Sequence, residues 1–162
     1  MRTRAVLLVL LTLAGAACTA SVDLTTACKV RPIATGWYDA GITEDGKNKL
    51  VPSISFTLTN TGATPWGSMQ INCIFKRVGD PMEWSAVLVR GLAAGANELR
   101  PGATTPPIVI RATQGYTGTQ PRADILSNHL FVDAKVEVFG KAGGANWVKL
   151  GEYPITRQLL SK

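Results

Sequence analysis

The chain has 162 residues, 17 basic against 11 acidic side chains and a formal net charge of +6, and a chain of this length supports one domain with its own core. A hydrophobic content of 46% with 17% charged residues is too apolar for a disordered chain, and 16 glycines with 9 prolines suit a turn-rich β protein. No apolar run reaches the ~20 residues of a membrane-spanning helix.

Arg2 and Arg4 precede an uncharged stretch, Ala5 to Ala17, rich in leucine and valine and closing in small residues. That is the pattern of a secretory leader. As a helix its 13 residues span only about 20 Å, short of the ~30 Å hydrocarbon core, so it is expected to target the chain and not to cross the bilayer. Gly15-Ala16-Ala17-Cys18 resembles the lipobox of bacterial lipoproteins, where small residues precede a cysteine that is lipidated and becomes the new N-terminus. The family usually has leucine or another aliphatic residue three positions before the cysteine, and this chain has Gly15. The resemblance implies a signal peptide over 1–17, lipidation at Cys18 and a bacterial envelope location. Thr19, which is not Asp, implies the outer membrane, on its periplasmic face, by the sorting rule of enteric bacteria. Ordinary leader cleavage after Ala20, with Cys18 discarded, is the alternative.

Thr19 to Ala27 (TASVDLTTA) is small and polar, so residues 18–27 read as the lipidated cysteine and a tether, whose nine residues reach about 30 Å when extended. Removing Arg2 and Arg4 leaves 15 basic against 11 acidic residues, or +4. The cations are scattered and the longest basic run is Lys76-Arg77. Nothing resembles the clustered, aromatic-interleaved groove of a nucleic-acid protein. A loose attraction to anionic lipid or polysaccharide is compatible with this balance.

Val30 to Tyr38 reads as the first strand, and Asp45-Gly46 as the turn of a hairpin to the second. In Leu50 to Asn60, Ile54, Phe56 and Leu58 alternate with Ser53, Ser55, Thr57 and Thr59, the period-two signature of a half-buried strand. Asn60-Thr61-Gly62 closes it with residues that tolerate positive φ. Ser68 to Val78 alternates Met69, Ile71, Cys73 and Phe75 against Gln70, Asn72 and Lys76, with Ile74 as the exception. Trp84 to Arg90, Pro107 to Ala112, His129 to Phe139 and Trp147 to Thr156 supply four more candidate strands. Pro121 to Asn128 (PRADILSN) is expected to form a turn or two of helix, and Lys141 to Asn146 a turn before the last strand. About seven antiparallel strands with one apolar face need a second sheet to cover it. The predicted fold of residues 28–162 is therefore one all-β domain, an immunoglobulin-like antiparallel β-sandwich, with a small closed barrel as the alternative.

Ile54 to Gly62 (ISFTLTNTG), then Leu99 to Gly102 (LRPG) before the apolar Ile108 to Ile110, resembles the bacterial immunoglobulin-like modules of the FxLYD kind. The resemblance covers about a third of the chain. It implies the sandwich fold and an envelope setting, and it carries no catalytic residues.

Three cysteines in an oxidising compartment leave Cys28 and Cys73 to pair once Cys18 is lipidated or removed. Closing the 44 residues between them would stabilise the fold by about 3 to 4 kcal/mol in the chain-entropy description; the rival is a pair of buried thiols. His129 is the single histidine, and nothing has zinc-ligand spacing, so no metal and no cofactor is expected. Ser127, His129 and Asp133 hold the residue types of a serine triad, but on one strand His129 and Asp133 would stand about 13 Å apart. Glu44 to Asn48 lacks the alternating acids of a calcium loop. No catalytic residue is assigned. Trp37, Trp84 and Trp147 fall in or beside strands and read as packing residues, whereas Trp66, in Thr64-Pro65-Trp66-Gly67, lies in an expected turn, where its indole either is exposed as a protein or sugar contact or packs over the end of the sandwich. The connections Gly91 to Thr105 and Thr113 to Asn128 are long enough to need a reason. Trp66, Tyr116 and Arg122 are the expected binding surface.

The composite expectation is a lipid-anchored, non-enzymatic envelope module that binds or scaffolds an envelope protein or polysaccharide. The alternative is a secreted small hydrolase or carbohydrate-binding accessory domain.

Overall fold

Period-two alternation becomes two sheets whose apolar faces meet. The computed structural model of the chain describes residues 22–92 and 98–160, so the leader and Cys18 lie outside the described residues. Strands β1 (Cys28–Ile42) and β2 (Asn48–Asn60) form a long hairpin. Its turn is the expected one: Gly46 has φ +78° and the Thr43 amide donates to the Lys47 carbonyl at 2.8 Å. There follow β3 (Met69–Arg77), β4 (Ser85–Leu92), β5 (Ile108–Arg111), β6 (Tyr116–Gly118), β7 (Ala134–Ala142), β8 (Val148–Pro154) and β9 (Leu159–Leu160). One sheet has the order β5-β2-β1-β9 with β6 also on β2, and the other has β4-β3-β7-β8. All pairings are antiparallel except β1 with β9.

This is the immunoglobulin-like arrangement, with β1, β2 and β5 as one sheet's A, B and E strands and β3, β7 and β8 as the other's C, F and G, β4 lying outside β3. The chain is an all-β sandwich. Among the described residues it has nine strands where about seven were expected, because the three-residue β6 and the two-residue β9 are too short to show a period.

The core is made by inward positions of both sheets. Ile54, Phe56 and Leu58 on β2 face Ile71, Cys73 and Phe75 on β3 and Val136 and Val138 on β7, all with no exposed surface. Ile74, the exception to the alternation, lies on the outer face between Ala86 and Glu137 and is half-buried. Among the described residues no helix is long and apolar enough to cross a membrane.

Three expectations are corrected. The tether is shorter than nine residues, because Leu24–Ala27 forms a helical turn, α1, with Asp23 as its cap. Leu24 and Ala27, three apart and therefore on one face, are buried at the end of the sandwich, and the Ala27 carbonyl accepts from the Thr61 amide at 2.8 Å. The packed domain thus begins near residue 23 and not at Cys28. Second, residues 129–133 are not strand. The Asn128 carboxamide oxygen accepts the Leu130 amide at 2.9 Å, a side-chain turn that diverts the chain before β7 begins. Third, Cys28 and Cys73 are free thiols. Cys28 begins β1 opposite Asn60 in one sheet, Cys73 is mid-strand on β3 between Val87 and Val138 in the other, and burial pushes both thiols up to about 12.

The short helix expected in Pro121 to Asn128 is present as α2 (Arg122–Ser127). Its Ile125 and Leu126 are buried.

Asn60 closes one end of the sandwich. Its side-chain nitrogen donates to the carbonyls of Thr64 at 2.9 Å and Leu99 at 2.8 Å, and its oxygen accepts the Gly62 amide at 2.9 Å. Its backbone bonds Ala103 and Gly102. The residue is fully buried. The Arg100-Pro101-Gly102-Ala103 turn beside it has Gly102 at φ +78° and an Ala103 amide to Arg100 carbonyl bond of 3.0 Å, which is type II chemistry with Pro and Gly in their preferred places.

Replacing Asn60→Ala removes three side-chain hydrogen bonds from a fully buried position and leaves the Gly62 amide without its acceptor, and it is expected to cost about 2–4 kcal/mol in chemical denaturation. At the other end, a Cβ on Gly115 would lie 2.0 Å from the Leu50 carbonyl oxygen. Gly115→Ala is therefore expected to detach β6 from β2, read as faster hydrogen exchange of the Leu50 and Tyr116 amides.

Candidate contact surfaces

The two ends of the sandwich are chemically different. At the end where the chain enters, α1, the β2–β3 connection and the Arg100–Ala103 turn pack together, and Trp66 is inside this packing. Trp66 is 1% exposed and its backbone exchanges two hydrogen bonds with Leu99, at 3.1 and 3.0 Å. Of the two readings of Trp66, packing over the sandwich end holds and the exposed contact residue is corrected. Its turn exists, but the distant Leu99 segment folds over it. The exposed indole among the described residues is Trp147, at 41%, beside the β7–β8 turn.

Tyr116 and Arg122 lie at the opposite end. Tyr116 pairs with Leu50, and ten residues of β2 separate Leu50 from Asn60 beside Trp66, about 33 Å of strand. The three residues therefore do not form one surface. Tyr116 has a sealing role: its ring centroid is 5.5 Å from that of Trp37, 5.1 Å from Trp84 and 4.7 Å from Phe131, and its hydroxyl donates to the Val132 carbonyl at 3.1 Å. Arg122 Nε is 2.7 Å from Asp39 Oδ1, an ion pair outside hydrogen-bond alignment, which ties α2 to the end of β1.

Around this aromatic seal the surface is apolar. Met82 and Leu130 are 71% and 74% exposed, and Val78 and Val132 are exposed as well. The Val78 amide donates to the Asp133 carbonyl at 2.7 Å, which brings the β3–β4 connection and the segment before β7 side by side. Sequence reasoning missed these residues because Val78, Leu130 and Val132 fall within the expected strands Ser68 to Val78 and His129 to Phe139, and Met82 is a lone apolar residue in a turn. Arg157 pairs with Asp133 and stacks over Phe131 at 5.0 Å, so its charge is partnered.

The remaining side-chain constellation lies on the outer face of the β4-β3-β7-β8 sheet. Lys76, Glu137, Lys149, Glu152 and Lys135 form an alternating chain with contacts of 2.7, 2.7, 2.7 and 3.0 Å. Glu137 and Glu152 are directly opposite in register, the nearest approach to paired catalytic carboxylates. Hydrogen bonds from Lys149, then from Lys76, hold Glu137 below its ordinary range, and those from Lys149 and Lys135 bring Glu152 down to about 2. Acid catalysis needs one carboxyl raised. Both of these are ionised and partnered on an open sheet face.

Ser127, His129 and Asp133 are not assembled. Ser127 bonds the Ala123 and Asp124 carbonyls, Asp133 holds Arg157 and His129 is exposed. At the Glu44–Lys47 hairpin tip, Asp45 pairs with Lys47 at 2.6 Å, beside an open depression of about 570 Å³. Among the described residues there is no group of three His, Cys, Asp or Glu side chains placed to hold a metal.

No family model and no curated protein matches the chain. Among solved structures it is similar to the X-ray structure of Northeast Structural Genomics Consortium target SoR45, with 12% identity and a TM-score of 0.46 over 82% of this chain and 89% of that one.

Because Glu137 and Glu152 titrate lower folded than unfolded, their contribution to stability is fully present above the ordinary 4.5 and is lost as pH falls below it, for Glu152 toward about 2. Glu152→Gln is therefore expected to reduce the loss of Tm between about pH 5 and pH 3, read by thermal unfolding at each pH.

Proposed function

We propose that the chain is a lipid-anchored bacterial envelope protein. Cys18 carries the acyl anchor, in the outer membrane on its periplasmic face, and the sandwich is a non-enzymatic binding module without a cofactor. The observation that carries this reading is the polarity of the domain. The described chain enters at the Asn60 and Trp66 end, only four residues after Cys18, and the exposed Met82, Leu130, Val78 and Val132 gather at the opposite end. An anchor at Cys18 therefore turns the apolar end away from the lipid and toward other envelope components. Diacyl or triacyl modification gives effectively permanent attachment without a membrane helix, since each buried methylene contributes about 0.8 kcal/mol. The partner that suits this end is an envelope protein with an apolar contact patch, because exposed apolar side chains gathered in one place, and not scattered singly, mark protein contacts.

Intact mass of the protein from a bacterial membrane fraction is expected to show an acyl addition that is absent from a Cys18→Ser variant. A soluble, unmodified product beginning at Ser21 would overturn the anchor. Met82→Glu with Leu130→Glu is expected to leave acylation and folding intact and to abolish crosslinks to the envelope partner. Crosslinks that persist unchanged in this variant would overturn the assignment of the apolar end.

A further inference from the structure

The outer face of the β5-β2-β1-β9 sheet gathers cations that the sequence scatters. Lys29 and Arg31 are outward, opposite Thr59 and Thr57. Thr59 bridges to Thr104, with the two hydroxyls 2.9 Å apart. The type II turn places Arg100 at the same end, because the Gly102 amide donates to the Asn60 carbonyl at 2.7 Å. Farther along the face Val109 opposes Ser55, and Arg111 opposes Ser53 with its guanidinium 3.6 Å from the Tyr38 ring centroid. Residues 28–36, 53–60 and 104–111, which make this face, contain no acid. Among the described residues Lys29, Arg31 and Arg100 make no ion pair. The acids at this end are Asp23, whose carboxylate caps α1, and Glu98, near Gly67.

We infer that this face is a lateral docking surface for anionic lipid headgroups. The inference rests on the proposed anchor, which supplies the proximity. From Cys18 to Val22 there are four peptide steps, at most about 14 Å, and α1 is packed on the sandwich immediately after. The end carrying Lys29, Arg31 and Arg100 is thus held within reach of the headgroups, and the Thr57 hydroxyl and the free proton of the Thr59–Thr104 hydroxyl pair add donors for phosphate oxygens. Three unpaired cations beside an anionic leaflet each strengthen binding by about fivefold.

The test uses the mature chain from residue 18 with Cys18→Ser, so that no acyl group masks the effect, co-sedimented with vesicles of phosphatidylcholine alone or with about 30 mol% phosphatidylglycerol. Binding only to the anionic vesicles is expected, weakening with salt. Replacing Lys29→Gln, Arg31→Gln and Arg100→Gln together should weaken it about 100-fold. The control pair Arg90→Gln and Lys141→Gln, on the other sheet, should change it by less than about threefold, and circular dichroism checks that both variants fold. Equal binding to both vesicle types, or equal loss per charge in the control, would overturn the docking face. Tighter binding per charge to dextran sulfate than to vesicles would overturn the lipid assignment in favour of an anionic polysaccharide. The anchor is judged separately by intact mass: an acylated Cys18 with no anionic preference sinks the docking face alone, and an unmodified chain that still binds anionic vesicles sinks the anchor alone.

Discussion

A sandwich of two sheets is open to water at both ends unless something closes it, and the structure of this chain depends on how those ends are closed. The middle needs little explanation: Ile54, Phe56 and Leu58 meet Phe75, Val136 and Val138. One end is closed by Trp37, Trp84, Tyr116 and Phe131, packed ring to ring. The other is closed by Trp66, Leu24 and Leu99 around Asn60. Both seals accept a cost, because the indole N–H groups of Trp37 and Trp66 are buried without an acceptor. An unpaired buried donor costs about 1–3 kcal/mol. Removing some 200 Å² of indole surface from water gains about 5 kcal/mol, so the ring's bulk outweighs its orphaned proton.

What was legible in the sequence follows from how far each signal reaches along the chain. The alternation of β2 and β3 is local, and both strands lie within two residues of their expected ends. The strand expected from His129 starts at Ala134 because the Asn128 side chain captures the Leu130 amide, a single bond that periodicity does not register. Asn60 was read as a turn residue tolerant of positive φ. The turn is there, but among the described residues no residue other than glycine has positive φ. Asn60 is needed for its side-chain donors, and Gly62 because a Cβ there would lie 2.8 Å from that of Ala27. The sequence leaves Trp66 open between exposure and packing for a related reason: a Thr-Pro-Trp-Gly segment specifies a turn, but whether the ring faces water is decided by Leu99, more than thirty residues on. The two-residue β9 likewise depends on Gly36, whose missing side chain leaves room for Leu160 and the Gln158 carbonyl.

Charge shows the same separation between chain order and space. The basic residues look evenly spread in sequence, with no run longer than two. In the fold, the acids Glu137 and Glu152 pair with Lys76, Lys135 and Lys149 on one sheet, while Lys29, Arg31, Arg100 and Arg111 are brought to the outer side of the other, where residues 28–36, 53–60 and 104–111 contain no acid. A mild overall excess thus becomes local clusters of cations, and the local field is the quantity that governs attraction to an anionic surface.

Under the proposed anchor, the helical turn α1 sets the orientation of the domain. Were Thr19 to Ala27 fully extended, the sandwich would be free to tumble about 30 Å from the lipid, and neither its faces nor its ends would have a preferred direction. Packing Leu24 and Ala27 into the core removes most of that slack. The remaining few residues are shorter than the sandwich is long, so the Asn60 and Trp66 end stays near the bilayer and the Met82 and Leu130 end points outward. The basic sheet face then biases the last freedom, the tilt about the short tether, since it brings Lys29, Arg31 and Arg100 to the headgroups against Arg90 and Lys141 on the other sheet. A two-residue apolar contact at the start of the domain, and not any feature of its loops, thereby decides which surface is left for a partner.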